Sequence, residues 1–100
     1  MTESFFTLDD FLPRMNQDFS IQLANGEHYI ITLQHVEQLR KPNELSIRTP
    51  FSLLFINPEK TTFLPQGTYQ IQNSEMGIID MFLVPIGPDS ANMRYEAIFS

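Results

Sequence analysis

The strongest apolar runs of the chain fall in residues 51–85, FSLLFINPEKTTFLPQGTYQIQNSEMGIIDMFLVP, and turn signals separate them. Phe51 to Ile56 is apolar at every position but Ser52, the pattern of a strand covered on both faces. Asn57-Pro58-Glu59-Lys60 turns the chain. Leu64-Pro65-Gln66-Gly67 follows, with proline second and glycine fourth, as in a type I turn. Thr68 to Asn73 alternates, with Tyr69 and Ile71 inward and Thr68, Gln70 and Gln72 outward. Ser74-Glu75-Met76-Gly77 fits a tight hairpin loop in which Gly77 takes positive φ. Ile78 to Val84 returns as a strand, with Asp80 beside Ile78 and Phe82 on the less critical face.

The flanks repeat the pattern. Phe19, Ile21 and Leu23 alternate with Ser20 and Gln22, Asn25-Gly26 signals a hairpin, and Tyr29, Ile31 and Leu33 alternate with Ile30 and Thr32. A three-residue loop over Asn25-Gly26-Glu27 pairs Leu23 with Tyr29, Ile21 with Ile31 and Phe19 with Leu33. That register gathers the apolar set on one face, which a two-residue loop does not. Gln38 to Glu44 is a polar loop, and Leu45 to Thr49 begins another strand ahead of Pro50, a residue for an edge or a bulge. Gly87-Pro88-Asp89-Ser90 opens the last loop. Arg94 to Phe99 closes the chain, with Tyr95, Ala97 and Phe99 on one face and Arg94, Glu96 and Ile98 on the other.

One segment breaks the period of two. Thr7-Leu8-Asp9-Asp10-Phe11-Leu12 reads as a short helix, with Thr7 as N-cap and Asp10 completing a capping box in place of the usual Glu. Its early acids suit the helix dipole, and Pro13 ends it. Leu8, Phe11 and Leu12 form an apolar face that would plug the end of a sheet. The expectation is an all-β single domain over 1–100. It is a small antiparallel barrel or a two-sheet sandwich of about six or seven strands with a short N-terminal helix.

Composition narrows the function more than the fold. The chain has 100 residues, 42% of them apolar, enough for a core without a metal or disulfide. It has no cysteine, so thiolate chemistry and thiolate metal sites are excluded. Its formal charge of −6 disfavours a phosphate backbone, and its six basic residues are scattered, so no nucleic-acid partner is expected. No spanning helix, basic amphipathic helix or secretory signal is visible, which points to a soluble, cytoplasmic protein with no membrane partner.

The titratable residues make no motif. His28 and His35, at odd spacing in one strand, face opposite sides and cannot share a metal without a bulge or another chain. Asp80 and Glu96 are the carboxylates that burial would tune, with pairing of Asp80 to Arg48 or Arg94 as the plainer reading. The Pro88–Asn92 loop is oxygen-rich but has one carboxylate, too few for calcium. No phosphate-binding glycine loop, serine-hydrolase elbow or zinc-protease motif occurs. No catalytic, cofactor-binding or metal residue is assigned, and no cofactor is expected.

The words Phe51-Ser-Leu-Leu-Phe55, Leu64-Pro-Gln-Gly-Thr-Tyr69, Phe82-Leu-Val-Pro-Ile-Gly-Pro88 and Arg94-Tyr-Glu-Ala-Ile-Phe99, with Leu8-Asp-Asp-Phe11 at the start, resemble a family of small uncharacterised bacterial domains. Members of that family resemble accessory proteins found near phage-tail-collar-like proteins. The resemblance implies no catalytic residue. It implies a role in assembling or accompanying a tail-like or surface structure.

The expected function is a non-enzymatic interaction or assembly domain with a protein partner, docking through a strand edge or an exposed apolar patch. Phe5 and Phe6, ahead of the helix, are the candidate partner-binding residues, with core packing as their plainer role. The alternative is a small-molecule-binding barrel, with or without catalysis, which needs an apolar pocket of about 300 Å3 or more.

Overall fold

A computed structural model describes residues 6–39, 50–61 and 63–99. Helix α1 (Leu8–Phe11) and a 3-10 turn (Leu12–Arg14) precede β1 (Asp18–Gln22), β2 (His28–Gln38), β3 (Phe51–Asn57), β4 (Gly67–Asn73), β5 (Gly77–Pro88) and β6 (Met93–Phe99). The strands close into a barrel in the order β1-β2-β3-β6-β5-β4, every neighbouring pair antiparallel. The architecture is therefore two three-stranded meanders joined at both sides. Barrel replaces sandwich because β1 meets β4 and leaves no sheet with free sides. The expected strand at Leu45–Thr49 lies outside the described residues.

Alternation decides which residues fill the interior. Phe19 and Ile21, Ile31 and Leu33, Leu53 and Phe55, Ile71, Ile79, Met81 and Leu83, and Tyr95 and Ala97 all point inward and are almost wholly buried. Phe19 meets Phe55 edge-on, with ring centroids 5.2 Å apart. With so few strands, side chains from facing walls reach one another, so the barrel centre is packed rather than hollow at these positions.

Each end carries its own stopper. Phe11, at the end of α1, is fully buried and lies 5.8 Å from Phe51 and 5.5 Å from Phe99, which stack on each other at 4.9 Å. The capping box of Thr7 and Asp10 fixes this helix, as the sequence indicates. Leu12, expected on the same apolar face, is 45% exposed. The α-helix ends at Phe11 with Leu12 as its C-cap, just ahead of Pro13 as expected, and the chain continues as the 3-10 turn. Pro13 has a fitting place in that turn. It sits in the first turn of the 3-10 segment, where its missing N–H costs nothing, and the tighter turn swings Leu12 outward.

At the other end the connection from β3 to β4 crosses the barrel. Leu64 is buried there, and its N–H donates to the Tyr95 hydroxyl at 2.9 Å. The Tyr95 and Tyr29 hydroxyls are 2.8 Å apart. Burial, then the bond to Tyr95, raise the Tyr29 phenol well above its ordinary pKa. The Leu64–Gly67 segment is held by the Tyr69 hydroxyl donating to the Pro65 carbonyl, rather than by the backbone bond of a closed type I turn.

One register, the phase of one strand and the end of another differ from the expectation, each through a turn or bulge. In the β1–β2 hairpin, Ile21 pairs with Tyr29 and Phe19 with Ile31, two residues away from the expected partners. The loop is Ala24-Asn25-Gly26, not Asn25-Gly26-Glu27. Gly26 N–H bonds the Leu23 carbonyl, and Gly26 itself has φ +90°, a type I turn followed by a left-handed residue. A shift of two preserves the face, so the apolar set still points inward.

In β2, Gln34 is an extra residue between the pairs Leu33↔Phe55 and His35↔Leu54. This bulge turns Val36 inward and His35 outward. In β5 the strand runs on to Pro88, past the expected loop start at Gly87, because Ile86 is bulged out between Pro85↔Tyr95 and Gly87↔Arg94. Gly87, at φ +91°, supplies the left-handed residue there, and the break accommodates a proline that cannot donate to the ladder. β3, expected to be covered on both faces, is so in part: Ser52 is buried, while Leu54 and Ile56 are half-buried.

Candidate docking face and polar trough

Alternation that fills the barrel also fixes what its outer wall presents. On β5 the outward positions are Ile78, Asp80, Phe82 and Val84; on β6 they are Arg94, Glu96 and Ile98. Val84 pairs with Glu96, and two residues along each strand from that pair Phe82 and Ile98 stand on the same outer side. Ile78 is 64% exposed, Ile98 58% and Phe82 48%. These large apolar side chains on adjacent strands contrast with the polar wall of Ser20, Gln22, Gln70 and Gln72 on β1 and β4.

Two acids interrupt the apolar face. Asp80 is exposed between Ile78 and Phe82, opposite Gln70 of β4, and Glu96 is half-buried between Arg94 and Ile98. The expected pairing of Asp80 with Arg94 does not form. Arg94 donates instead to the carbonyls of Gly87 at 3.2 Å and Ile86 at 3.5 Å, at the bulge. Arg48 lies outside the described residues. Among the described residues Arg14 pairs with Glu75 and His35 Nε2 lies 3.7 Å from Glu37, and neither Asp80 nor Glu96 has an ion-pair partner there.

Of the two candidate partner residues, Phe6 is half-buried, its ring centroid 5.7 Å from that of Phe11, so it extends the stopper at that end. Phe5 lies outside the described residues. The histidines do not face opposite sides. The Gln34 bulge rephases β2 so that His28 and His35 are both exposed on the outer wall, near opposite ends of the strand. Their separation along β2 still rules out a shared ligand. The sequence could not show the bulge, because an extra residue leaves no mark in an alternating pattern that is already polar at Gln34 and His35.

Sequence reasoning also missed a contact. Ser20 Oγ lies 2.9 Å from His28 Nδ1, joining the outer walls of β1 and β2. Among the described residues no acid bonds the other ring nitrogen, so the third member that orients a catalytic histidine is not there. The pair borders a shallow polar trough where β1 meets β4. A depression of about 510 Å3 is lined by Gln17, Asp18, Ser20, Gln72 and Ser74. A smaller one of about 70 Å3 continues past His28, Gln22 and Gln70 to Ile78.

Among the described residues no three His, Cys, Asp or Glu side chains cluster to hold a metal ion, and no helix is long and apolar enough to cross a membrane. No curated protein and no solved structure matches the chain. A family model does, along almost the whole barrel and both of its stoppers. Residues 6–99 match the model described as a domain of unknown function, DUF6916, and the chain belongs to that family.

Proposed function

We propose that the chain is a non-enzymatic interaction domain that docks a protein partner on the outer face of β5 and β6. The observation that carries this reading is the exposure of Ile78, Phe82 and Ile98 on adjacent strands around two carboxylates that have no ion-pair partner among the described residues. Apolar side chains gain from leaving water, which favours an apolar centre on the partner. Asp80 and Glu96 favour basic residues around that centre. A second copy of this chain is disfavoured, because it would bring two bodies of formal charge −6 together with their acids unmatched. The strands close on one another as a barrel, which favours docking on a face over docking by strand addition. Packed inward positions weigh against a ligand held inside the barrel. A place beside a phage-tail-like or surface structure rests on the family resemblance alone.

Photo-crosslinking tests the reading. A benzoylphenylalanine replaces Phe82 in one variant and exposed Gln34, across the barrel on β2, in the other, and both are irradiated in the native cells. A protein with a basic contact surface should crosslink from position 82 and not from 34, and Asp80→Lys with Glu96→Lys should abolish the adduct. No adduct at 82, an adduct with a second copy of the chain, or an adduct indifferent to charge reversal overturns the proposal.

A further inference from the structure

The seam between β1 and β4 closes the barrel through only two register pairs, Ser20↔Gln72 and Ile21↔Ile71. Over this seam lies the polar trough, and its lining has an unusual chemistry for so acidic a chain. No lysine or arginine contributes to it. Its one carboxylate, Asp18, accepts a hydrogen bond from the Thr32 hydroxyl at 3.0 Å. What dominates is carboxamide. Gln22, Gln70 and Gln72 make no side-chain hydrogen bond among the described residues, so each offers a carbonyl acceptor and two N–H donors.

That donor set selects a ligand class. An anion finds no lysine or arginine here, and a cation finds a single carboxylate, one of whose oxygens already accepts from Thr32. A neutral molecule whose groups both donate and accept satisfies the carboxamides in both directions. Vicinal hydroxyls of a sugar ring do this, while the ring's C–H face needs an apolar neighbour, and exposed Ile78 stands at the rim of the trough. An extended peptide would seek a backbone ladder, which the pairing of β1 with β4 already occupies at the centre of the seam.

We infer that the β1–β4 trough binds a neutral, hydroxyl-rich ligand, a glycan chain, through Gln22, Gln70 and Gln72. The site is open and wet, so affinity is in the millimolar range. The test uses the full chain, labelled with nitrogen-15 and titrated separately with maltohexaose, cellohexaose, chitohexaose and inorganic phosphate. At least one oligosaccharide should shift the carboxamide N–H resonances of the three glutamines saturably. Gln22→Ala with Gln72→Ala should weaken binding about tenfold or more, a loss of roughly 1.4 kcal/mol. Phe82→Ser, on the docking face, should leave it unchanged. Three silent oligosaccharides, an equal response to phosphate, or binding that survives the double substitution overturns the inference. None of these outcomes depends on the protein partner.

Discussion

Tyr95→Phe removes one oxygen from the barrel and changes nothing else in shape. That oxygen is fully buried and accepts the Leu64 N–H at 2.9 Å. The same hydroxyl lies 2.8 Å from that of Tyr29, and either oxygen can be the donor of the bond between them. The substitution strands the Leu64 amide under a phenyl ring, which costs about 1–3 kcal/mol for an unsatisfied buried donor. Tyr29 is only half-buried and regains a partner from water. The expected loss is about 2 kcal/mol. In urea it appears as a midpoint lowered by roughly 1.5 M at unchanged slope, and on heating as a melting temperature lower by roughly 10 °C. Tyr29→Phe should cost less, about 1 kcal/mol, because Leu64 keeps its acceptor. The double variant should cost no more than Tyr95→Phe alone, since Tyr29 then has no bond left to lose. Hydrogen exchange localises the effect, with the Leu64 amide losing protection first. If Tyr95→Phe changes stability by less than about 0.5 kcal/mol, or Tyr29→Phe costs as much, the crossing is not held by this oxygen.

Further outcomes follow from other contacts. Phe11→Ala leaves a hole between Phe6, Phe51 and Phe99 and should cost about 3–5 kcal/mol, a large part of a typical domain's stability, read from urea unfolding; a loss below about 1 kcal/mol would show the helix is no stopper. Asn73, 2% exposed, accepts the Glu75 and Met76 amides and donates to Gln17 and the Asp18 carbonyl. Asn73→Ala should cost about 2–3 kcal/mol and loosen the hairpin loop after β4, visible as faster exchange at Glu75 and Met76. The Asp89 carboxyl is held below the ordinary range by the amides of Asn92 and Ala91. A lowered carboxyl pKa stabilises the folded loop above the unfolded value and loses that contribution as pH falls through the folded one. The Ala91 and Asn92 amide resonances should therefore move with a midpoint below the ordinary carboxylate value; a midpoint at that value would refute the capping.

What the sequence makes legible is parity. Inward and outward faces of β4, β5 and β6 follow from alternation, because a strand facing a packed core has no other way to hide Ile71, Ile79, Met81 and Tyr95. Pairing is less visible. A hairpin shifted by two residues keeps the same faces, so nothing in Phe19, Ile21, Tyr29 and Ile31 distinguishes the observed register from the expected one. Bulges are hidden for a related reason, since Gln34 and Ile86 differ from their neighbours only by having no partner across the strand. Both surface features need closure to exist. Ile78, Phe82 and Ile98 read as ordinary strand residues until β6 is set beside β5, and the glutamines of the trough come together only when β1 meets β4, about fifty residues on along the chain.

The crossing between β3 and β4 also governs whether one chain need supply the whole barrel. β1–β3 and β4–β6 are each continuous meanders, and they meet only along β3–β6 and β1–β4. Those two seams are indifferent to whether their strands belong to one polypeptide. What keeps them in one is a tether long enough to span the barrel end and pinned there by Leu64. Deleting Pro58–Thr61 shortens the tether from nine residues to five and should favour exchange of halves between two chains as the way to complete both seams. Light scattering should then report a dimer in which each barrel joins one chain's first meander to the other's second; a folded monomer would show that the span is not the constraint. The length of one loop thus sets the number of chains per molecule, with no interface residue changed.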